Sequence, residues 1–214
     1  GVLAAGLTAR VAFAAIQGVP VFDPWRHLQL IANLRAGRGF TLFDGQPYIW
    51  YAEAWYRLCA AAPAWLGPQW IAALLSWLAV PALWLWLRKA ETGPERENVA
   101  LAGAALAAGF GPLTAFTCHY GNEAFALFLV LGALALSSAV PGAAAAAAAG
   151  VLFGTALATR INLAFDAFLF LPAVRGRARA MAFTGGAALP LAVGWLRNHR
   201  VIAEYPYLFT WDGL

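Results

Sequence analysis

Residues 69–87 read QWIAALLSWLAVPALWLWL, without one charged side chain. A helix needs about 20 apolar residues to cross the hydrocarbon core of a bilayer, so this stretch predicts a transmembrane helix. The whole chain has the same character, since 62% of its 214 residues are hydrophobic and 11% are charged. About a quarter of the residues are charged in soluble domains. The composition therefore predicts a polytopic membrane protein.

Outward from this stretch, six more apolar runs are candidate spans, separated by short polar breaks. The seven runs cover residues 2–20, 69–87, 99–117, 124–140, 142–159, 161–174 and 181–196. The sixth run is short for a crossing helix. The fold class predicted is all-α, a bundle of about seven transmembrane helices. Residues 1–214 are expected to form a single module cut from a longer protein, because the chain lacks an initiator Met and stops in a polar stretch.

Three arginines in one loop predict the orientation. Arg175, Arg177 and Arg179 lie between the last two spans, and cytoplasmic loops collect Lys and Arg. Counting back from this loop places Arg160 and residues 119–123 outside. The net charge of +4 without a basic stripe favours anionic lipid or phosphate over nucleic acid.

The first outer loop, residues 21–68, is predicted to hold two helices that lie in the membrane interface. Residues 24–36 place His27, Leu30 and Ile31 on one helical face. Residues 51–66 are short for a span, contain charged side chains and Pro63, and carry Trp and Tyr at both ends. The span count is consistent only if this second segment does not cross.

Two carboxylates are the candidate catalytic groups, because each stands where an apolar run meets water. Asp23 follows the first run and Glu123 precedes the fourth. A charged side chain at the end of a membrane helix is costly to place, so its presence calls for an explanation. Asp before Pro is also a good helix start, so a capping role for Asp23 stays open.

The predicted topology brings further polar residues to the same outer side. They are Arg26, His27, His119, Arg160, Arg197, Asn198, His199 and Arg200. A carboxylate can take the proton of an attacking hydroxyl or amine, and arginines can hold a phosphate with two hydrogen bonds. Together these groups would suit displacement of a sugar from a lipid phosphate. Arg160 has the alternative of anchoring a helix end at the interface, and His119 that of an ordinary hydrogen-bonded histidine.

Other polar residues have structural interpretations. Arg10 lies inside the first span, and an ion pair with Asp166 of the sixth is one alternative for it. Cys59 and Cys118 are too few for a metal site of the paired-cysteine type. They are either a disulfide on the outer side or small apolar core residues.

The order of these motifs resembles the GT-C glycosyltransferases. It is nearest to the branch of bacterial protein O-mannosyltransferases and lipid A aminoarabinose transferases, the family 39-like members. The motifs that carry the resemblance are FDPW at 22–25, GRGF at 37–40, PYIWY at 47–51, NEA at 122–124 and WLRN at 195–198. Their order and spacing between spans are specific, although each is weak alone. The GT-C module of about seven spans with a long first outer loop would cover the whole chain.

The resemblance implies a membrane enzyme of inverting type. It would move a sugar from a polyprenyl-phosphate donor to an acceptor lipid, glycan or protein outside the cytoplasmic (inner) membrane. Asp23 would be the catalytic base or position the acceptor, and Glu123 would help to hold the acceptor or a metal. Relatives often have paired acids where this chain has Asp23 and Pro24. The sequence requires no cofactor and leaves a divalent metal open.

Two other functions remain alternatives at this point. One is a transporter or flippase for a lipid or a polyprenyl-linked substrate. Such proteins place polar residues at the bilayer midplane in broken helices, whereas the polar residues here cluster at one interface. The other is a non-catalytic protein with a GT-C-like module.

Overall fold

The computed structural model describes residues 1–16, 23–42, 45–48, 53–111, 114 and 122–204, without the side chains of Asp23, Pro24 and Ile161. This part of the chain is almost entirely helical. In chain order its elements are α1 (Val2–Ile16), α2 (Asp23–Arg35), α3 (Ala54–Ala61), α4 (Pro68–Ala90), α5 (Arg96–Gly109), α6 (Glu123–Ala139), α7 (Ala143–Thr159), a 3₁₀ helix (Ile161–Phe170) and α8 (Arg177–Glu204). The predicted all-α class is confirmed.

The seven membrane crossings remain a prediction. Among the described residues, α4 is the one helix that is both long and apolar enough to cross a bilayer. The helices Val2–Ile16, Glu123–Ala139 and Ala143–Thr159 are apolar but shorter. Length and composition alone also admit the core helix of a soluble protein. The structure therefore establishes, over the ranges that it describes, a helical chain with one helix of membrane-spanning length.

α1, α4 and α5 pack together. Trp77 Nε1 of α4 donates to the carbonyl of Leu3 near the start of α1, and Ala14 near the end of α1 packs with Ala73 of α4. α1 and α4 are therefore antiparallel. An ion pair between Arg88 and Glu97, 2.8 Å apart, joins the end of α4 to the start of α5.

α6 and α7 form a helical hairpin. The turn between them ends at Gly142, whose φ of 102° lies in a region that L side chains avoid. α7 then packs along α8. Arg179, near the start of α8, donates to the carbonyl of Ser137 near the end of α6 at 2.5 Å. Because α7 also begins at that end of α6, α7 and α8 run in the same direction.

Three glycines let α7 and α8 approach closely. A Cβ atom at Gly150 would lie 2.1 Å from the carbonyl oxygen of Phe183, and one at Gly154 would lie 2.2 Å from that of Ala187. From the other side, a Cβ atom at Gly186 would lie 2.2 Å from the carbonyl oxygen of Ala147. The two backbones are thus in direct contact, as small residues permit in membrane helix pairs.

The sixth predicted span is not an α-helix. Residues Ile161–Phe170 form a 3₁₀ helix, which leads from Arg160 towards the start of α8. A 3₁₀ helix rises about 2.0 Å per residue against 1.5 Å in an α-helix, so ten residues cover about 20 Å. Because α7 and α8 are parallel, the chain between them must return along their length. The larger rise of the 3₁₀ helix lets a short segment cover more of that distance.

The two helices predicted in the first outer loop are present as α2 and α3. His27, Leu30 and Ile31 are buried as their spacing predicts. Asn33, which the pattern places on another face, is also buried, because its amide donates to the carbonyls of Thr41 and Leu42. After α2, Gly37 and Gly39 adopt φ angles of 71° and 75°. These left-handed residues turn the chain so that Phe40 enters the core.

Candidate site at the Glu123 end

The start of α6, the end of α7 and the last part of α8 lie at one end of the helices, together with α2 and α3. We call it the Glu123 end. Trp55 of α3 contacts Phe125 of α6 with ring centroids 5.9 Å apart, and Arg160 at the end of α7 meets Glu123. The opposite end, marked by the contact of Arg179 with Ser137, is called the Arg179 end.

Arg160, Glu123 and Asn122 form one cluster. Arg160 makes an ion pair with Glu123 Oε1 through one terminal nitrogen, and its Nε donates to Asn122 Oδ1 at 2.9 Å. The Glu123 side chain is 17% exposed and that of Arg160 is 35% exposed. The predicted gathering of Arg160 and Glu123 is therefore present, as a direct pair of opposite charges.

A second cluster is built around Glu53. Its Oε1 accepts from Arg197 Nε at 2.6 Å, and its Oε2 pairs with Arg57 one turn further along α3. Arg197 also donates to the carbonyl of Tyr48 at 2.6 Å and to Asn198 Oδ1 at 3.1 Å. All three guanidinium nitrogens of Arg197 are thus engaged within the chain, and they join α8 to the first outer loop.

Aromatic side chains pack against this cluster. The Arg197 guanidinium lies over the ring of Phe40, 4.9 Å from its centroid, and Phe40 contacts Tyr56. The Tyr56 hydroxyl hydrogen-bonds His27 Nδ1 at 2.6 Å, and both side chains are buried. His27 is therefore part of the packing between α2 and α3.

Burial controls the electrostatics of Arg197. Loss of solvent lowers the pKa of its guanidinium from the ordinary value, the negative charge of Glu53 opposes that shift, and the positive charge of Arg57 adds to it. Arginine nevertheless stays protonated at any physiological pH. The guanidinium that Glu53 meets is therefore a cation under all ordinary conditions.

The remaining predicted site residues have mixed outcomes. Asp23 begins α2, but its side chain is outside the described part of the structure, as is the whole of His119. Arg26 is exposed on the first turn of α2. His199 stacks on Trp195, with ring centroids 5.2 Å apart. The structure thus brings Glu123 to Arg160 and Arg197 to Asn198, while the position of Asp23 relative to them stays a prediction.

Sequence reasoning missed Glu53 as a member of the site. The spacing of Glu53 and Arg57 is that of a helical salt bridge, and this was the one signal in the sequence. Its partner Arg197 comes from the far end of the chain, so only the fold brings the two together.

The alternative of an Arg10–Asp166 pair is not what the structure shows. Arg10 is 1% exposed, and its guanidinium donates to Ser76 Oγ at 2.8 Å and to the carbonyls of Ala108 and Ala107 at 3.1 and 3.0 Å. Those carbonyls belong to the last turn of α5, where no further turn supplies N–H groups to donate to them. Arg10 therefore caps α5.

Cys59 is a free, buried thiol, which fits a small apolar core residue. Burial raises the pKa of this thiol to about 12, against the lowering effect of Arg35. Cys118 lies outside the described residues.

The described residues do not offer a divalent metal its donor set. Nowhere in the described ranges do three or more His, Cys, Asp or Glu side chains come together. Glu123 faces Arg160, and a guanidinium beside a carboxylate repels a cation.

Comparison with known proteins gave no match to a family model, to a curated protein or to a solved structure.

Proposed function

We propose that this chain is the GT-C-like module of a multi-pass inner-membrane glycosyltransferase with its site on the outer side. The enzyme transfers a sugar from a polyprenyl-phosphate donor to an acceptor lipid, glycan or protein, with inversion. The observation that carries the proposal is the meeting of two Arg–Glu clusters, around Glu123 and around Glu53, at one end of the helices. The GT-C-like order of the sequence motifs supports the same sugar-transfer reaction.

The exposed surfaces fit a protein in lipid. Large apolar side chains face outward on the 3₁₀ helix and along α8, with Phe165 82%, Phe168 63% and Met181 64% exposed. Soluble monomers rarely expose contiguous apolar patches of this kind. In a bilayer these side chains contact acyl chains or neighbouring helices.

Charge at the Glu123 end matches a lipid phosphate. Arg160 keeps about a third of its side chain exposed and Arg57 two thirds, so both can meet a phosphate at the membrane surface. Arg197 supports that surface by joining α8 to Glu53. In the reaction the acceptor hydroxyl or amine attacks the anomeric carbon, the bond from that carbon to the phosphate oxygen breaks, and a carboxylate takes the acceptor's proton. We assign that proton to Asp23 and the holding of substrate to Glu123.

The deciding experiment is a transfer assay. The full-length protein in nanodiscs is given a panel of radiolabelled polyprenyl-phosphate sugars and membrane acceptors. We expect one sugar to be transferred, and transfer to fall by about 10²- to 10⁴-fold in Asp23→Asn, which keeps the size and capping ability but removes the base. Unchanged transfer in Asp23→Asn would leave the residue as a helix cap.

A lipid transporter or flippase is the second candidate, and Arg10 is the observation that favours it. A buried arginine beside the end of α5 resembles the polar residues and interrupted helices found inside transporters. Movement of a fluorescent polyprenyl phosphate across proteoliposomes tests this function. Transport without any sugar transfer would replace the enzyme proposal.

A further inference from the structure

Asn122 and Glu123 each keep one buried polar atom without a hydrogen-bond partner among the described residues. The atoms are Asn122 Nδ2 and Glu123 Oε2. Asn122 is 0% exposed, so solvent does not satisfy its amide. Buried polar groups are nearly always hydrogen-bonded in native proteins, and an exception calls for an explanation.

The chemistry of both free atoms is fixed by Arg160. A guanidinium can only donate, so the Asn122 atom that it meets at 2.9 Å is the carbonyl oxygen and the free atom is the amide nitrogen. The ion pair with Arg160 uses Glu123 Oε1 and keeps the carboxylate charged, so the free Oε2 can only accept. A matching ligand group must therefore accept from Asn122 and donate to Glu123.

A hydroxyl group meets both demands with one atom. A phosphate oxygen cannot donate, and an ammonium group cannot accept. We propose that Asn122 and Glu123 form a binding site for a hydroxyl of the sugar carried by the lipid phosphate, an inference that rests on the proposed function. In such a donor the sugar is bonded directly to the phosphate. A phosphate against the exposed side of Arg160 places the sugar next to Asn122 and Glu123.

The hydroxyl site is closed in the free protein. Both free atoms are covered from solvent, whereas the Arg160 side chain beside them is 35% exposed. The donor phosphate approaches the exposed side of Arg160. The hydroxyl then reaches Oε2 and the amide, while Arg160 keeps its contacts with Glu123 Oε1 and Asn122 Oδ1.

The test is donor binding to the full-length protein in nanodiscs. The probes are polyprenyl-phosphate mannose, glucose and aminoarabinose, each of these with single hydroxyls removed, and the bare polyprenyl phosphate. Asn122→Asp keeps an acceptor for Arg160 but loses the amide donor. Asn98→Asp is the matched control, because the Asn98 amide donates to Glu95 at the start of α5 and not to the cluster of Asn122, Glu123 and Arg160. If Asn122→Asp does not fold, Asn122→Ala takes its place.

We expect Asn122→Asp to raise the dissociation constant of the sugar-bearing donor about tenfold more than that of bare polyprenyl phosphate, because the new carboxylate beside Arg160 weakens phosphate binding for both probes alike. One deoxy donor should bind the parent protein more weakly than the complete donor does, and its affinity should not fall further in the variant than that of the bare lipid does. The reason is that the deoxy donor and the variant each lack one side of the same contact.

Three results would overturn the hydroxyl site. In the first, Asn122→Asp weakens binding of the bare lipid as much as that of the sugar-bearing donor, and in the second it weakens neither. In the third, the variant weakens binding of every deoxy donor more than that of the bare lipid. A parent protein that binds none of the sugar-bearing probes would also overturn the site.

The hydroxyl site and the glycosyltransferase function can be refuted independently. Sugar-specific weakening in a protein that transfers no sugar would refute the transferase and retain the hydroxyl site. Sugar transfer by the parent, with donor binding unchanged in Asn122→Asp, would retain the transferase and refute the site.

Discussion

Arg197 Nε lies 2.6 Å from Glu53 Oε1, so an arginine near the end of the last helix is bound to a glutamate that precedes α3. The two side chains are 25% and 15% exposed. A contact this well shielded resists screening by salt. It holds the first outer loop against α8 and thereby shapes the Glu123 end.

The Arg197–Glu53 contact should show a large coupling energy. Arg197→Gln and Glu53→Gln, combined in a double-mutant cycle of unfolding in detergent, are expected to couple by about 1.5 to 3 kcal/mol, as for a hydrogen bond to a charged group. Arg57→Gln is the control, because Arg57 is 66% exposed and its pair with Glu53 should contribute at most about 1 kcal/mol. Additive effects of the first two substitutions would contradict a direct contact.

Arg10 should be essential for stability whatever the protein's function. Arg10→Met leaves two carbonyls of α5 and Ser76 Oγ without their donor, so the free energy of unfolding should fall by at least about 2 kcal/mol. Ser76→Ala removes one partner and should cost about 1 kcal/mol. Unfolding in mixed micelles measures both. A stable Arg10→Met would mean that water or other groups take over those bonds.

Gly185 and Gly186 are adjacent in α8 but should respond in opposite ways to alanine. A Cβ at Gly186 meets the backbone of α7, whereas one at Gly185 meets nothing within 4 Å. Gly186→Ala should therefore force α7 and α8 apart and lower the stability, by about 1 to 3 kcal/mol as overpacking does. Gly185→Ala should be neutral or stabilise by up to about 1 kcal/mol, because glycine is a poor helix former. Thermal unfolding of the pair in detergent checks the difference, and equal effects would argue against the close α7–α8 contact.

Cys59 should make stability fall at high pH. The folded pKa is about 12 and the ordinary value is 9.0, so the folded state favours the neutral thiol. The contribution of Cys59 to the free energy of unfolding is complete below the ordinary pKa of the thiol. It is lost as the pH rises from about 9 towards 12. Iodoacetamide at pH 9 should label Cys59 in the unfolded chain and spare it in the folded one. Cys59→Ala should remove this part of the alkaline dependence, and rapid labelling of the folded protein would refute the burial of the thiol.

Single-cysteine labelling tests the predicted topology. Cysteines placed at positions 44 and 121 are expected to react from the outer side of intact cells or spheroplasts, and those at 93 and 177 from the inner side. The parallel course of α7 and α8 supports this, since it puts Arg160 and Arg197 at one end and Arg179 at the other. If positions 44 and 121 reacted from opposite sides, the segment around Trp55 would be a true span.

The sequence predicted those elements whose signal is local. The bounds of α4, α6 and α7 agree with their apolar runs within about three residues, because a polar break or a proline ends each run. The Arg160–Glu123 meeting followed from counting spans. The partner of Glu53 could not be predicted, because Arg197 reaches it only through the tertiary fold. The 3₁₀ form of Ile161–Phe170 could not be predicted either, since an apolar run fixes burial in lipid but not the hydrogen-bond pattern.

The parallel packing of α7 on α8 also sets an order for biosynthesis. The surface of α7 at Gly150 and Gly154 is complementary to a segment that leaves the ribosome only after the whole return through Ile161–Phe170. Until then α7 has α6 as its helical neighbour, and its glycine side is uncovered. That side is closed only when α8 has been made, so a chain that stopped before Arg177 would leave it open to unintended partners.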